Sequence, residues 1–275
     1  MKLAAGDWAL EAAPERGGAI LSLTRAGRDV LRPTPPDTAE PFDLACFPLV
    51  PYANRIASGC FRWDGETIRL PRNHPAQVHP LHGIGWLVPW EVTSSGEASM
   101  VMRLVHRGDA AWPWPFSAEQ RLALTPSGLA ATLEIVNDAT RPMPVSLGFH
   151  PYFAVADTLR FEAEGVWLAD AEMLPVRHTA ADALGDWSAG ATLSRPDLVD
   201  HCYTGWSGVA TIARADGDIV LEAENAPALH VYVPPGEDFF CAEPVTAMPD
   251  AMNHDQAATL APGERMRIAM RIRSI

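Results

Sequence analysis

Along much of this chain, apolar and polar residues alternate with a period of two, the spacing that turns one face of a β-strand toward a core. Arg265–Arg273 sets Met266, Ile268, Met270 and Ile272 against Arg265, Arg267, Arg271 and Arg273, which predicts a half-buried strand with a basic, solvated outer face. Ala118–Thr125 and Leu129–Asn137 flank Pro126-Ser127-Gly128 and predict a hairpin. Leu122 and Leu124 share one face of its first strand; Leu129, Ala131, Leu133 and Ile135 share one face of its second. Ser99–His106 is a further strand after a Ser/Gly turn. Three more hairpins are expected where Gly or Asp-Gly separates apolar runs, because these residues tolerate positive φ. They are Ile20–Thr24 with Asp29–Arg32 around Gly27, Phe61–Trp63 with Thr67–Leu70 around Asp64-Gly65, and Gly208–Ala215 with Asp218–Glu224 around Asp216-Gly217. His230–Val233 and Phe239–Ala242 complete the strands, the latter leading into Glu243. No 3.6-residue apolar period is sustained over the ~12 residues that a stable helix needs. The expectation is an all-β protein of two packed antiparallel sheets. Thr34–Pro41 and Arg72–Pro80 are expected as loops, and Ala180–Ala191 is the most loop-like interior stretch. With no linker and no fixed repeat, residues 1–275 are expected to form a single domain.

Charge and composition narrow the function classes. The formal net charge is −13, which argues against nucleic acid or anionic membrane as partner, since both require a basic face. Lys2 is the sole lysine and sits where chain ends are usually poorly ordered, so Schiff-base chemistry lacks a nucleophile. Cys46, Cys60, Cys202 and Cys241 form no C-x-x-C pair, which argues against a structural zinc site. With no apolar h-region after Lys2 and no run approaching ~18 apolar residues, a cytoplasmic location with reduced cysteines is expected.

Candidate chemistry gathers in three stretches. The first runs from Phe47 to Trp90 and contains Asn54, Arg55, His82 and Gly83; the others are GFHPYF at 148–153 and CAEPVTAMPDAMNH at 241–254. Each sets ionisable residues close to Pro or Gly, with aromatic residues nearby. Arg55, His82, His150, Asp200 and Glu243 are the candidates. Taken singly, each has a plain structural reading: a surface ion pair, a turn histidine, a packed core imidazole, a turn cap, a loop anchor. Taken together, strand ends could bring them to one concave face. G-x-S-x-G, H-E-x-x-H, G-x-G-x-x-G and G-x-x-x-x-G-K-[ST] are absent. Acid/base chemistry with a His, a Glu and polar orienting groups remains. AWPWPF at 111–116 reads either as an apolar plug over a sheet edge or as a wall against an apolar ligand face.

NRIASGCF, LHGIGW, GFHPYF, VDHCY and CAEPVTAMPDAMN, in that order, resemble the aldose 1-epimerase (galactose mutarotase) family from about Asp7 to the C-terminal strand. The resemblance implies a large antiparallel β-sandwich of the galactose mutarotase-like type with an open sugar cleft. It implies catalysis without metal or organic cofactor. It places the family's catalytic acid on His150 and its base on Glu243. Its substrate-binding residues fall on Arg55, His82 and Asp200. Phe149 stands where many members have Asn, and His82-Gly83-Ile84 where many read His-Gly-Gly. The implied reaction interconverts α and β anomers of a free aldose by ring opening and closure, with Trp86 or Trp112 as candidate walls for an apolar sugar face. Two alternatives stand beside it: a hexose-6-phosphate mutarotase, for which Arg62 and Arg72 are the candidate phosphate contacts, and a non-catalytic carbohydrate-binding protein on the same fold.

Overall fold

The computed structural model describes residues 1–275 and contains strands, turns and four short 3-10 segments. Its largest sheet has nine antiparallel strands. In spatial order these are Ala191–Thr192, Thr158–Phe161, Val209–Ala213, Ile219–Glu224, Arg265–Ser274, Gly128–Asn137, Phe116–Thr125, Ser99–His106 and Glu91–Ser95. The second large sheet runs Pro175–Ala180, Gly165–Ala169, Val199–Thr204, Ala228–Val233, Phe239–Val245, Gly148–Phe149 and Pro48–Leu49, with Tyr152–Ala154 also pairing Phe239–Val245. A four-stranded sheet is built from Lys2–Ala5, Trp8–Ala13, Ala19–Arg25 and Arg28–Asp29. The fold is thus all-β and antiparallel, as the period-two pattern predicts.

The expected hairpins form because their turns carry the needed residues. Asp64 and Gly65 both take positive φ between Cys60–Trp63 and Glu66–Arg69, as a two-residue turn requires. Ala26 and Gly27 do the same between Ala19–Arg25 and Arg28–Asp29. In the central hairpin Thr125 pairs Gly128, so the turn is Pro126-Ser127 alone. Its register sets Leu122 opposite Ala131 and Leu124 opposite Leu129, and all four are buried. The buried apolar side chains of the sheets join in one continuous cluster. Arg271 and Arg273, on the outer face of the last strand, pair with Glu224 and Glu222 at 2.6 Å each.

Two elements differ from expectation where the site lies. The strand starting at Phe239 does not stop at Ala242 but runs to Val245, taking in Glu243 and Pro244. Proline cannot donate to a ladder and normally weakens a strand. Here its neighbour on one side comes in two pieces: Tyr152–Ala154 pairs Phe239–Cys241, while Gly148 pairs Val245. Opposite Glu243-Pro244 the sheet is open, so no donor is missed. Asp200 lies within the strand Val199–Thr204 rather than capping a turn.

Candidate active site

Arg55 and His82 are held by one interlocked loop pair. Asn54 and His82 both adopt left-handed backbone, with φ of 60° and 59°, which Asn and His tolerate better than most residues. The His82 N–H donates to Asn54 O at 2.9 Å, and the Asn54 N–H donates to His82 Nδ1 at 3.1 Å. Nδ1 is therefore the acceptor, which leaves Nε2–H as the donor of a neutral imidazole. Burial, followed by the charges of His150, Arg55 and His230, holds His82 well below its ordinary value. Asn54 Oδ1 accepts from the Arg55 N–H at 2.8 Å and from Arg55 Nη1 at 3.2 Å, which aims the guanidinium. Gly83 lies beside Val50, where a Cβ would sit 2.3 Å from Val50 O.

His150 and Glu243 face each other across the opening in the sheet. The His150 ring stacks on Tyr152, centroids 4.7 Å apart, with Phe47 at 4.7 Å on a tilt and His82 edge-on at 5.0 Å. Its Nε2 lies 3.4 Å from Glu243 Oε1. His150 Nδ1 and Glu243 Oε2 are buried without a partner, an uncommon condition for buried polar atoms outside functional sites. Burial raises the Glu243 carboxyl to about 8, opposed by His230. Burial and then the His230 charge lower His150 to about 3. At neutral pH the pair therefore rests as carboxyl and neutral imidazole.

A third histidine, which the motifs did not mark, completes the site. His230 lies cross-strand from Glu243 and Asp200 from Tyr232, and His230 Nε2 is 2.6 Å from Asp200 Oδ1. Burial opposes a charge on His230, but Asp200, Cys202 and Glu243 outweigh it and lift the imidazole to about 10. Burial likewise opposes Asp200, yet the hydrogen bond and charge of His230, with Arg55, carry it below the usual carboxylate range. Arg55 Nη1 reaches Asp200 Oδ2 at 4.0 Å. A histidine set in the apolar run Ala228–Val233 was the available signal, since a buried imidazole requires a polar partner.

Arg55, His82, His150, Asp200 and Glu243 all line one cavity of about 290 Å³, together with Asn54, His230 and Arg32. Its ring surfaces come from Phe42, Tyr152, Tyr232 and Phe239. Trp86 and Trp112 are not among them. Trp86 is buried below the His82 turn, its indole N–H donating to Leu81 O and Gly83 O at 3.2 and 3.1 Å. Trp112 packs against Tyr52, Phe61 and Trp114, so AWPWPF is a plug. Arg62 and Arg72 are exposed and away from the cavity; Arg62 donates to Gly65 O instead. His150, Cys241 and Glu243 offer ligand atoms within 4.8 Å of one another, a set that could surround a metal ion. Binding there would require deprotonating both Cys241, which burial raises well above its ordinary value, and Glu243.

A sandwich of this form with a His/Glu/Asp/Arg cavity at a sheet opening defines a galactose mutarotase-like protein. The sequence profile described as aldose 1-epimerase matches residues 10–273, and the chain belongs to that family. The Escherichia coli K12 protein YphB, itself uncharacterized, is 30% identical over 276 residues, covering 94% of this chain and 93% of YphB. A galactose mutarotase-like protein from Clostridium acetobutylicum superposes with a TM-score of 0.84 at 20% identity, covering 100% of this chain and 94% of that one. The GalM/aldose epimerase homologue from C. elegans gives 0.85 at 17% identity, with coverage of 100% and 98%. The family is one of isomerase-type carbohydrate enzymes with sugar substrates.

Proposed function

We propose that this protein is a cofactor-independent aldose 1-epimerase, acting as one domain over residues 1–275. The observation that carries the reading is the His150–Glu243 pair, two buried proton carriers 3.4 Å apart with a free atom on each. Anomer exchange needs a base at the anomeric hydroxyl and an acid at the ring oxygen, both fixed about one C–O bond. Glu243 is the base and His150 the acid. In the resting pair the proton lies on the carboxyl, so the working form arises by its transfer to His150 within the pair. Glu243 then takes the anomeric proton while His150 protonates the ring oxygen; the C1–O5 bond breaks, and rotation about C1–C2 exposes the other carbonyl face for closure with the roles reversed. His82 Nε2–H and the Arg55 guanidinium donate to sugar oxygens and oppose charge that develops in the transition state. Asp200, held ionised by His230, accepts from sugar hydroxyls.

No helix is long and apolar enough to cross a membrane. The four cysteines are free thiols, which suits a reducing compartment, and we place the protein in the cytoplasm. Polarimetry of freshly dissolved α-anomers tests the activity. Wild type accelerates the decay of rotation and Glu243→Gln does not; equal rates for the two proteins, with the variant folded, overturn the assignment.

A further inference from the structure

One cation at the cavity has no counter-ion. The Arg32 guanidinium carbon lies 4.2 Å from the centroids of both Tyr152 and Phe239, clamped between two rings that line the cavity. Nη2 donates to Phe42 O at 2.6 Å, and the Arg32 backbone N–H donates to Tyr152 O at 2.8 Å. These contacts fix the side chain, no carboxylate oxygen approaches it within 4.0 Å, and its Nε is buried without a partner, whereas Arg55, the other arginine lining the cavity, reaches Asp200. Asp43 lines the same cavity, but its Oδ2 is engaged by Thr38 Oγ1 at 2.6 Å. The protein as a whole carries −13, yet this cavity-lining arginine has no carboxylate partner.

The rest of the cavity does not supply the missing charge. Arg55 approaches Asp200 only at 4.0 Å, and the nearer oxygen contact of Asp200 goes to His230. Glu243 bears on His150. Tyr152 stacks on both His150 and Arg32, so Arg32 is two ring contacts from the proposed chemistry. That places it to reach a distant part of a sugar whose anomeric end lies at His150. A planar guanidinium held between rings is suited to the paired oxygens of a carboxylate or phosphate.

We propose that the cavity takes an aldose bearing an anionic substituent, carboxylate or phosphate, and that Arg32 binds that group. The inference rests on the anomer-exchange reading of the same cavity for its substrate class, and on Arg32 alone for its anionic part. It relocates the cationic contact from Arg62 and Arg72 to a residue that lines the cavity.

The test compares anomer exchange of D-glucuronate, D-galacturonate and glucose 6-phosphate with that of D-glucose and D-galactose, by magnetisation-exchange NMR. Wild type, Arg32→Met and Arg32→Lys are measured. Met keeps an unbranched stem between the rings; Lys keeps the charge without the fork. The readout is the ratio of kcat/KM for a charged sugar to that for its neutral parent. In wild type this ratio is expected to exceed about tenfold for the uronates or for the phosphate, the size of one charge-assisted hydrogen bond. Which group gives the larger ratio identifies the anion. Arg32→Met brings the ratio near one, and Arg32→Lys leaves an intermediate value that still reports if the Met variant fails to fold. A wild-type preference for the neutral sugars, or an equal loss for charged and neutral sugars in the variants, overturns the proposal. If no aldose is exchanged, calorimetry with glucuronate and glucose separates the two readings. Arg32-dependent binding of glucuronate alone keeps the anion subsite and removes the epimerase. Binding of neither, or of both alike, removes the subsite.

Discussion

His230 Nε2 lies 2.6 Å from Asp200 Oδ1, and the two residues are only 4% and 7% exposed. A buried ion pair is costly to form but more costly to break from one side, since the survivor is left charged and desolvated. The pair makes stability depend on pH in a defined direction. His230 titrates near 10 when folded against an ordinary 6.5, so its contribution is complete below about 6.5 and is lost as pH rises through about 10. Asp200→Asn removes the partner that raises His230. We expect this variant to lose about 3 kcal/mol at pH 7 and the deficit to shrink steadily toward pH 10. Denaturant unfolding of both proteins from pH 6.5 to 10 checks it, because the buried thiols and tyrosines common to both cancel in the difference. A deficit constant across that range is incompatible with a charged His230.

The same charge acts on the His150–Glu243 pair. Glu243 at about 8 and His150 at about 3 mean that the pair holds a single proton between those limits, and the values belong to the pair as a unit. With two protons the base is lost; with none the acid is lost. The pH profile of kcat/KM, which reports the ionisations of the free protein, is therefore expected to be bell-shaped, with its alkaline limb near 8. His230 opposes the burial-driven rise of Glu243, so His230→Gln should move the alkaline limb upward while raising KM through a misoriented Asp200. A variant that loses turnover with the limb unmoved would show that His230 serves folding alone.

Direct replacement of the two proton carriers gives a larger effect. Glu243→Gln and His150→Asn should each lower kcat by about 10²–10⁴. Since both act in the same bond-breaking step, the double variant should be little worse than either single one. Exchange rates under saturating sugar provide the measurement, with unfolding midpoints to confirm that each variant is folded. Multiplicative losses in the double variant would mean that the residues act independently.

Period-two patterning and Asp-Gly turns were enough to read the hairpins around Asp64-Gly65, Pro126-Ser127 and Asp216-Gly217, because those structures are set by neighbours in sequence. The short segments around the site were not readable this way. Gly148–Phe149 and Pro48–Leu49 are two residues long, and no period can be seen in two residues. Pro244 read as the end of a strand because the opening opposite it is made by residues nearly a hundred positions away. The motifs of the family pointed to five residues that the structure brings into one cavity. They did not point to His230 or Arg32. The apolar run around His230 signals only that the imidazole is buried; its partner Asp200 comes through a strand register, and Arg32 reaches the cavity through its clamp between Tyr152 and Phe239, so neither set of partners is legible locally. Trp86 and Trp112 were drawn toward the site by sequence proximity and by their ring chemistry, yet both are needed in packing beneath it.

Gly83 links that packing to the site. Its φ is 68° and it forms a parallel bridge to Val50, with Ile84 and Gly85 N–H groups donating to Val50 O at 3.1 and 3.0 Å. An added Cβ would lie 2.3 Å from Val50 O, which is backbone and cannot swing aside. Gly83→Ala therefore combines left-handed strain with a steric conflict, and should cost about 1–3 kcal/mol of stability. Because the displaced turn also carries His82, the contact from the Asn54 N–H to His82 Nδ1 should weaken with it. The expected result is a lower unfolding midpoint together with a raised KM and a smaller change in kcat, since His150 and Glu243 lie on other segments. Steady-state exchange kinetics alongside thermal unfolding would show this. An unchanged KM in a destabilised variant would mean that the turn positions no group that binds substrate.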